Sequence, residues 1–210
     1  MMIRILIADD HTIIRRGLTQ ILLEEFPDAK ITEVADGMQL LKQVRIGKWD
    51  IVISDLSMPG SNGLETLKQI KDELPKLPVL ILSMHPEDQY AIRVLRAGAS
   101  GYLNKEGAPD ELIKAVRQIL GGRRYISPAV AEKLAEDLNQ DSTKALHETL
   151  SDREFHVLKL IASGKTVSEI AEILSLSVAT VSTYRARILQ KMNMKTNAEL
   201  THYAIENKLA

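Results

Sequence analysis

The first 122 residues alternate five times between a short apolar run and a longer segment with helical periodicity. Apolar runs without internal alternation are typical of strands that helices cover on both faces. Strand and helix repeated in this order predict an α/β doubly wound, five-stranded parallel sheet. The predicted strands are Ile3–Ala8, Lys30–Ala35, Ile51–Ser54, Val79–Ser83 and Gly101–Asn104, and the predicted helices span about 12–25, 37–46, 64–73, 87–97 and 109–121.

A second, wholly helical domain is predicted for residues 147–210. Ser151 and Glu154 have the spacing of a capping box, and Gly164 is placed to end the helix that they begin. Ser177 is placed to cap the third helix, only three residues after the second. These start and stop signals predict an all-α four-helix domain with a helix-turn-helix, whose helices span about 152–162, 167–174, 178–192 and 197–207.

The segment between the two domains predicts a linker that contains a helix. Gly121 and Gly122 are suited to end the last helix of the first domain. Pro128 favours the first position of a new helix, which we expect to continue from Ala129 to Leu138. The polar run at 139–144 is typical of a hinge. We therefore predict a first domain at 1–122, a linker at 123–146 and a second domain at 147–210.

Composition limits the class of protein. With 210 residues, 45% hydrophobic and 26% charged, the chain predicts two ordinary soluble domains. No apolar run reaches the roughly 18 residues of a membrane span, and the first residues enter a strand without the zones of a signal peptide. We therefore expect a cytoplasmic protein without a membrane partner. Cysteine is absent, which excludes disulfides and thiolate metal sites.

Three carboxylates follow two of the predicted strands. Asp9 and Asp10 come directly after the first strand, and Asp55 follows the third. Because the carboxyl ends of parallel strands meet at one edge of a sheet, where open α/β folds bind ligands, we expect these side chains to lie together. The expected ligand set holds oxygen only, without His or Cys, which favours Mg²⁺.

The third helix of the second domain has a face suited to nucleic acid. Val181, Ile188 and Met192 share one side, whereas small and hydrogen-bonding residues occupy the other. Such a face can enter the major groove of DNA, although an ordinary solvated helix shows the same pattern. The stretch from 177 to 195 contains no acidic residue and four basic ones, which suits phosphate: Arg185, Arg187, Lys191 and Lys195.

Together these motifs resemble a two-component response regulator of the NarL/FixJ class, and the resemblance covers nearly the whole chain. The first domain resembles a CheY-like receiver in Asp9-Asp10, Asp55 with Met58-Pro59-Gly60 and Gly63, Ser83, Gly98 to Tyr102, and Lys105. The second resembles a LuxR-type helix-turn-helix in Leu150 to Glu154, Gly164, Glu169-Ile170-Ala171, Leu176-Ser177 and Thr180-Val181.

The resemblance implies roles for the receiver residues. Asp55 would be the phosphoacceptor for a sensor histidine kinase, with Lys105 and Ser83 pairing the phosphoryl oxygens. Mg²⁺ would be held by Asp10, by Asp55 and by the backbone carbonyl of Ser57, with Asp9 acting directly or through water. Tyr102 matches the switch aromatic of the family, although its strand position alone predicts a half-buried structural tyrosine. The protein would not be an enzyme, beyond intrinsic autophosphorylation and autodephosphorylation.

For the second domain, the resemblance implies sequence-specific binding of double-stranded promoter DNA. A homodimer is expected because one small module buries little surface, and RNA polymerase is a further partner that the resemblance allows. Where relatives commonly carry Lys and His, this chain has Ser182 and Tyr184, so base preference should differ. We expect base contacts from Ser182, Thr183, Ala186 and Arg187 and phosphate contacts from Thr180, Arg185 and Lys191.

Three other classes of protein share parts of this sequence pattern. A haloacid-dehalogenase phosphatase needs a second acid two residues after the nucleophile, where this chain has Ser57. A LuxR regulator that senses a small molecule needs a different N-terminal domain. The serious rival is a regulator that keeps its receiver as an unphosphorylated dimerisation scaffold. The presence of the complete set Asp10, Asp55, Ser83 and Lys105 argues against it.

Overall fold

The computed structural model describes residues 2–58, 63–84, 87–107, 109–132 and 145–209, without the side chains of residues 88, 89, 110, 148 and 152. The chain divides into two compact units, residues 1–139 and 140–210. Within the described ranges, no helix combines the length and the apolar character needed to cross a membrane. The finer limits at 122 and 147 stay a prediction.

The first unit is built on a five-stranded parallel sheet with the order β2-β1-β3-β4-β5. Every residue of β3 and β4 is buried, as expected for strands covered on both faces. The predicted fold class is confirmed, and the strand ends differ from the prediction by at most one residue. The strands are β1 Arg4–Ala8, β2 Lys30–Val34, β3 Ile51–Asp55, β4 Val79–Ser83 and β5 Gly101–Asn104.

Five helices alternate with these strands, as predicted. One face of the sheet packs Ile7, Ile53 and Leu82 against Leu22 of α1 and Ala115 of α5, which forms a continuous apolar core. This core supports the carboxyl ends of β1, β3 and β4. The helices are α1 Thr12–Glu25, α2 Gly37–Ile46, α3 Gly63–Glu73, α4 Glu87–Arg96 and α5 Pro109–Leu120.

The segment after α5 returns along the edge of the sheet. Gly122 has φ +79°, the left-handed conformation that ends a helix, as predicted. The Tyr125 backbone N–H then donates to the carbonyl of Ser100 at 2.8 Å, and the Tyr125 side chain is buried. A further helix, α6, begins at Pro128 and is described as far as residue 132. The rest of the predicted linker helix and the hinge at 139–144 lie outside the described residues.

Residues 145–209 form a 3₁₀ turn and four α-helices, and the predicted start and stop signals are confirmed. Ser151 and Glu154 form the capping box, and Gly164 ends α7 with φ +82°. The Ser177 hydroxyl accepts from the Thr180 N–H at 3.1 Å at the start of α9. The 3₁₀ turn is Leu146–Thr149, and the helices are α7 Asp152–Ala162, α8 Val167–Ile173, α9 Val178–Lys191 and α10 Asn197–Glu206.

Gly63 at the start of α3 allows the backbone to pass close to Leu56. A Cβ added at Gly63 would lie 2.3 Å from the Leu56 carbonyl oxygen, whereas a Cβ added at Gly17 within α1 would have no neighbour within 4 Å. We expect Gly63→Ala to destabilise the first unit by about 2 kcal/mol or more, because backbone atoms must shift. Gly17→Ala should stabilise the same unit by about 0.5 to 1 kcal/mol through helix propensity.

Urea unfolding followed by Trp49 fluorescence measures this pair, because Trp49 is the only tryptophan and lies in the first unit. Equal midpoints for the two alanine variants would contradict the close approach at Gly63.

Candidate functional site

The three predicted carboxylates meet at the carboxyl edge of the sheet. Asp9 and Asp10 follow β1, and Asp55 ends β3, which pairs with β1 through Ala8 and Ser54. Each of these carboxylates offers an oxygen, and those atoms lie within 4.8 Å of one another. Asp9 is 1% exposed and Asp55 3% exposed. The pairing of β1 with β3 therefore brings three carboxylates together at this edge of the sheet, as the sequence predicts.

Lys105 provides a positive charge in this cluster. Its Nζ lies 2.6 Å from Asp9 Oδ2 and 2.7 Å from Asp55 Oδ2, and the lysine side chain is 5% exposed. The Asp55 contact is a hydrogen bond, whereas the Asp9 contact is an ion pair without hydrogen-bond angles. The loop after β5 thus brings an ammonium group between two strand ends that carry carboxylates.

Burial and pairing act in opposite directions on both partners. Burial raises the pKa of Asp55 overall, although the hydrogen bonds that Asp55 accepts from Lys105 and from the backbone N–H of Ser57 lower it. Burial also lowers the pKa of Lys105, but the hydrogen bond to Asp55 and the ion pair with Asp9 outweigh it, so that the Lys105 pKa is raised overall. Lys105 is therefore a fixed cation beside Asp55, positioned to meet further negative charge there.

Two of the other predicted receiver residues, Ser57 and Ser83, border this cluster. The Ser57 N–H donates to Asp55 Oδ1 at 3.1 Å. Ser83 ends β4 fully buried, and its carbonyl accepts from the Lys105 N–H at 2.8 Å. Tyr102, on β5, is 2% exposed, which excludes the alternative of a half-buried tyrosine, whereas its role as the switch aromatic stays a prediction. The residues at 59 and 60 that contribute to the motif lie outside the described ranges.

The expectation that the cluster contains no histidine is wrong. His11 follows Asp10 directly, and its Nδ1 lies 2.9 Å from Asp10 Oδ1 and 3.2 Å from Asp9 Oδ1. The sequence carries the signal for this as Asp9-Asp10-His11, since a residue next to two strand-end carboxylates can reach the same edge of the sheet.

The donor set fits a divalent cation. Among the described residues, buried Asp10 Oδ1 accepts no hydrogen bond, and the single ammonium of Lys105 neutralises only part of the charge of three carboxylates. Carboxylate and carbonyl oxygens are the ligands that Mg²⁺ prefers. Asp9, Asp10, Asp55 and the Ser57 carbonyl are the groups available to hold it.

The second unit presents the expected face of α9. Val181, Ile188 and Met192 are at most 1% exposed and form its inner side. The opposite side is exposed and carries small, hydroxyl and basic side chains. It comprises Ala179, Ser182, Thr183, Ala186, Arg187 and Gln190, with half-buried Thr180 at the edge near the start of the helix.

Two of the predicted phosphate anchors have partners within the unit. Arg185 Nε donates to Asn197 Oδ1 at 2.5 Å, and Lys191 Nζ lies 2.6 Å from Glu154 Oε2. Glu154 is 4% exposed and also accepts from the Ser151 N–H at 2.7 Å. Both basic residues therefore stabilise the packing of α9, whereas their contacts with DNA stay a prediction.

Family models match both units. Residues 5–117 match the response regulator receiver domain, and residues 148–204 match the bacterial regulatory proteins of the luxR family. The chain belongs to the response regulators. This response regulator combines a receiver with a LuxR-type helix-turn-helix, as its sequence motifs predict. The predicted membership of the NarL/FixJ class is confirmed as well.

Relatives of this response regulator align over nearly their whole length. The response regulator UvrY of Escherichia coli K12 is 37% identical over 210 residues, which cover 99% of this chain and 96% of UvrY. RcsB of Salmonella enterica serovar Typhimurium, bound to promoter rprA with the phosphomimetic BeF₃⁻, is 29% identical with a TM-score of 0.65, covering 96% and 98% of the two chains. The structure of two RcsB dimers bound to two parallel DNAs is 28% identical to this chain, with a TM-score of 0.61. The match covers 97% of this chain and 98% of that RcsB chain.

The Glu154–Lys191 pair should make the helix-turn-helix of this response regulator sensitive to acid. Burial raises the pKa of Glu154, but Lys191 and Ser151 outweigh it and leave the pKa below its usual range. A lowered folded-state pKa contributes stability above the unfolded value of about 4.3, and this stability is lost as the pH falls through the folded value. Glu154→Gln should therefore destabilise the unit at pH 7 by about 1 to 2 kcal/mol and much less under acidic conditions.

Urea unfolding by circular dichroism tests this, with the transition that leaves Trp49 fluorescence unchanged assigned to the second unit. Glu172→Gln, an exposed change on α8, is the matched control. A difference from wild type that stays constant with pH would exclude the charge of Glu154 as its cause.

Proposed function

We propose that this response regulator is switched by phosphorylation of Asp55 and then binds promoter DNA through α9. The Asp55 carboxylate gives the main support, because it is buried at the end of β3 and accepts a hydrogen bond from Lys105 at 2.7 Å. Two further carboxylates lie beside it, and the three together could hold a divalent cation. A nucleophile, a fixed ammonium group and a carboxylate cluster suited to a metal ion favour phosphoryl transfer, which needs mainly positioning and charge neutralisation.

In the proposed reaction, an Asp55 carboxylate oxygen attacks the phosphorus of a phosphohistidine on a sensor kinase or of a small acyl phosphate. The new O–P bond forms as the donor's P–N or P–O bond breaks, and the donor leaves with that bonding pair. Asp9, Asp10, Asp55 and the Ser57 carbonyl would hold Mg²⁺, which when bound supplies neutralisation of the phosphoryl oxygens. Lys105 pairs with those oxygens, and its raised pKa keeps it charged.

The response in the receiver would start at Ser83 and Tyr102. The Ser83 carbonyl accepts from the Lys105 N–H, so the end of β4 is tied to the residue that meets the phosphoryl group. A hydroxyl contact made only with the phosphoryl group present would favour one of two receiver conformations. The signal would then pass through the linker between a receiver at 1–122 and a DNA-binding domain at 147–210.

For DNA, the exposed face of α9 supports base contacts from its small, hydroxyl and basic side chains, namely Ser182, Thr183, Ala186 and Arg187. Thr180, Arg185 and Lys191 would contact the phosphates. The RcsB complexes support promoter DNA and a homodimer as partners. RNA polymerase is a further proposed partner. A protein that meets both promoter DNA and a sensor kinase acts in the cytoplasm. Catalysis would be limited to its own phosphorylation and dephosphorylation.

Incubation with acetyl phosphate and Mg²⁺, followed by intact mass, tests the proposal. We expect wild type to gain one phosphoryl group, to lose it when left to hydrolyse, and to gain none when EDTA replaces Mg²⁺. Failure to gain the group at saturating acetyl phosphate, in protein whose fold is intact by circular dichroism, would favour the scaffold interpretation of the receiver.

A further inference from the structure

We propose that Arg15 is a positioning residue for phosphoryl transfer to Asp55, because it fixes the peptide unit that joins Asp9 to Asp10. The inference rests on the proposed function and adds a residue of α1 to it. Arg15 acts only through the two carboxylates and does not contact the phosphoryl group.

The backbone at Asp9 is the point where β1 leaves the sheet. The Asp9 N–H still donates to the Val34 carbonyl of β2 at 3.2 Å, whereas the Asp9 carbonyl accepts from the Arg15 guanidinium at 2.6 Å. Because a peptide unit is planar, a hydrogen bond to the Asp9 carbonyl also fixes the N–H and the Cα of Asp10. Arg15 therefore sets the direction in which the Asp10 side chain leaves the backbone.

The Arg15 side chain is itself held in place, with 13% of it exposed. Its Nη2 donates to Thr12 Oγ1 at 3.3 Å, and its Nε donates to Glu33 Oε2 on β2 at 3.4 Å. Glu33 is fixed in turn, since its Oε1 accepts from the Thr19 hydroxyl at 2.8 Å. A planar guanidinium can meet these acceptors and the Asp9 carbonyl at once. Arg15 thus connects α1, β2 and the end of β1.

Asp10 depends on this connection more than Asp9 does. Both oxygens of Asp9 have partners, because Oδ1 accepts from the His11 N–H at 2.8 Å and Oδ2 lies 2.6 Å from Lys105 Nζ. Asp10 Oδ1 is buried and accepts no hydrogen bond from any described residue, and its 2.9 Å contact with His11 Nδ1 lacks hydrogen-bond angles. The orientation of the Asp10 carboxylate therefore depends mainly on the backbone that Arg15 fixes.

Loss of the guanidinium should change the reaction in one particular way. The peptide between Asp9 and Asp10 could then rotate, and the Asp10 carboxylate would spend less time facing Asp55. Because phosphoryl transfer depends on charge neutralisation beside the nucleophile, we expect a higher Mg²⁺ requirement. Asp55 and Lys105 keep their own contact at 2.7 Å, so the rate at saturating Mg²⁺ should change little.

Arg15→Met in the full chain tests the inference, because it removes the guanidinium and keeps an unbranched side chain that suits a helix. Phosphorylation by acetyl phosphate is followed by intact mass over a series of Mg²⁺ concentrations, and Mg²⁺ affinity of the unphosphorylated protein is measured by calorimetry. We expect the half-saturating Mg²⁺ concentration and the Mg²⁺ Kd each to rise about tenfold or more, while the plateau rate falls by less than about threefold. The matched control is Arg16→Met, an exposed position on the same helix, which should behave like wild type.

A merely structural role would reduce the folded fraction, which lowers the plateau rate and leaves the half-saturating Mg²⁺ concentration unchanged. That result, or equal half-saturating concentrations for Arg15→Met and Arg16→Met, would overturn the inference. Arg15→Lys keeps the charge without the planar fork and should raise the half-saturating concentration by a smaller factor. If Arg15→Met does not fold, an unchanged value for Arg15→Lys overturns the inference instead. The proposed function fails separately, if wild type gains no phosphoryl group, and the calorimetric comparison then still tests the role of Arg15.

Discussion

Asp55→Asn is expected to abolish phosphoryl uptake from acetyl phosphate, while wild type is labelled under the same conditions. An amide has nearly the shape of the carboxylate but is a far poorer nucleophile, so the reacting oxygen is lost while the packing at the end of β3 is retained. Lys105 keeps Asp9 as an ion-pair partner at 2.6 Å, which limits the structural disturbance. Intact mass after incubation with Mg²⁺ and acetyl phosphate measures the effect.

The matched control is Asp72→Asn, the same chemical change at an exposed position on α3. It should be labelled like wild type. Equal phosphoryl incorporation into Asp55→Asn and Asp72→Asn would show that another side chain accepts the group, and the account of the site would be wrong.

Ala186→Glu should reduce DNA affinity by about a hundredfold or more at fixed salt. The substitution places a bulky carboxylate in the centre of the exposed α9 face, where it would meet base edges and lie near phosphates. Because residue 186 is exposed and glutamate is a good helix former, the helix-turn-helix should stay folded. Fluorescence anisotropy with labelled promoter DNA at several salt concentrations measures the loss.

Ala131→Glu provides the matched control, since it adds the same side chain at an exposed helical position in the first unit. We expect it to change affinity by less than about threefold, through its net charge alone. If Ala186→Glu and Ala131→Glu bind promoter DNA equally well, α9 is not the DNA-reading element.

The carboxylate cluster could be predicted because strand-end positions in a parallel sheet follow from apolar runs. Ile51 to Ile53 form a buried strand whichever order the sheet adopts, and Asp55 must then lie at its carboxyl edge. The helix ends could be predicted as well, because Ser151, Ser177 and Gly164 act on backbone groups only a few residues away in sequence.

What escaped prediction depends on packing between distant elements. The hydrogen bond from Arg185 to Asn197 and the ion pair of Lys191 with Glu154 require α9 to lie against α7 and near the first residue of α10, which helical periodicity alone does not specify. Strand position alone would predict a half-buried Tyr102, but the packing around β5 buries this side chain. The contacts of His11 with the Asp9 and Asp10 carboxylates depend on a side-chain direction at the residue before α1, which no periodic pattern encodes.

The phosphoryl group on Asp55 should control the DNA-binding unit. To test this, the promoter affinity of wild type is compared before and after acetyl phosphate treatment in Mg²⁺, with the phosphorylated fraction measured by mass in the same samples. We expect the affinity to rise in proportion to that fraction and Asp55→Asn to stay at the unphosphorylated value. Full phosphorylation with unchanged affinity would contradict it.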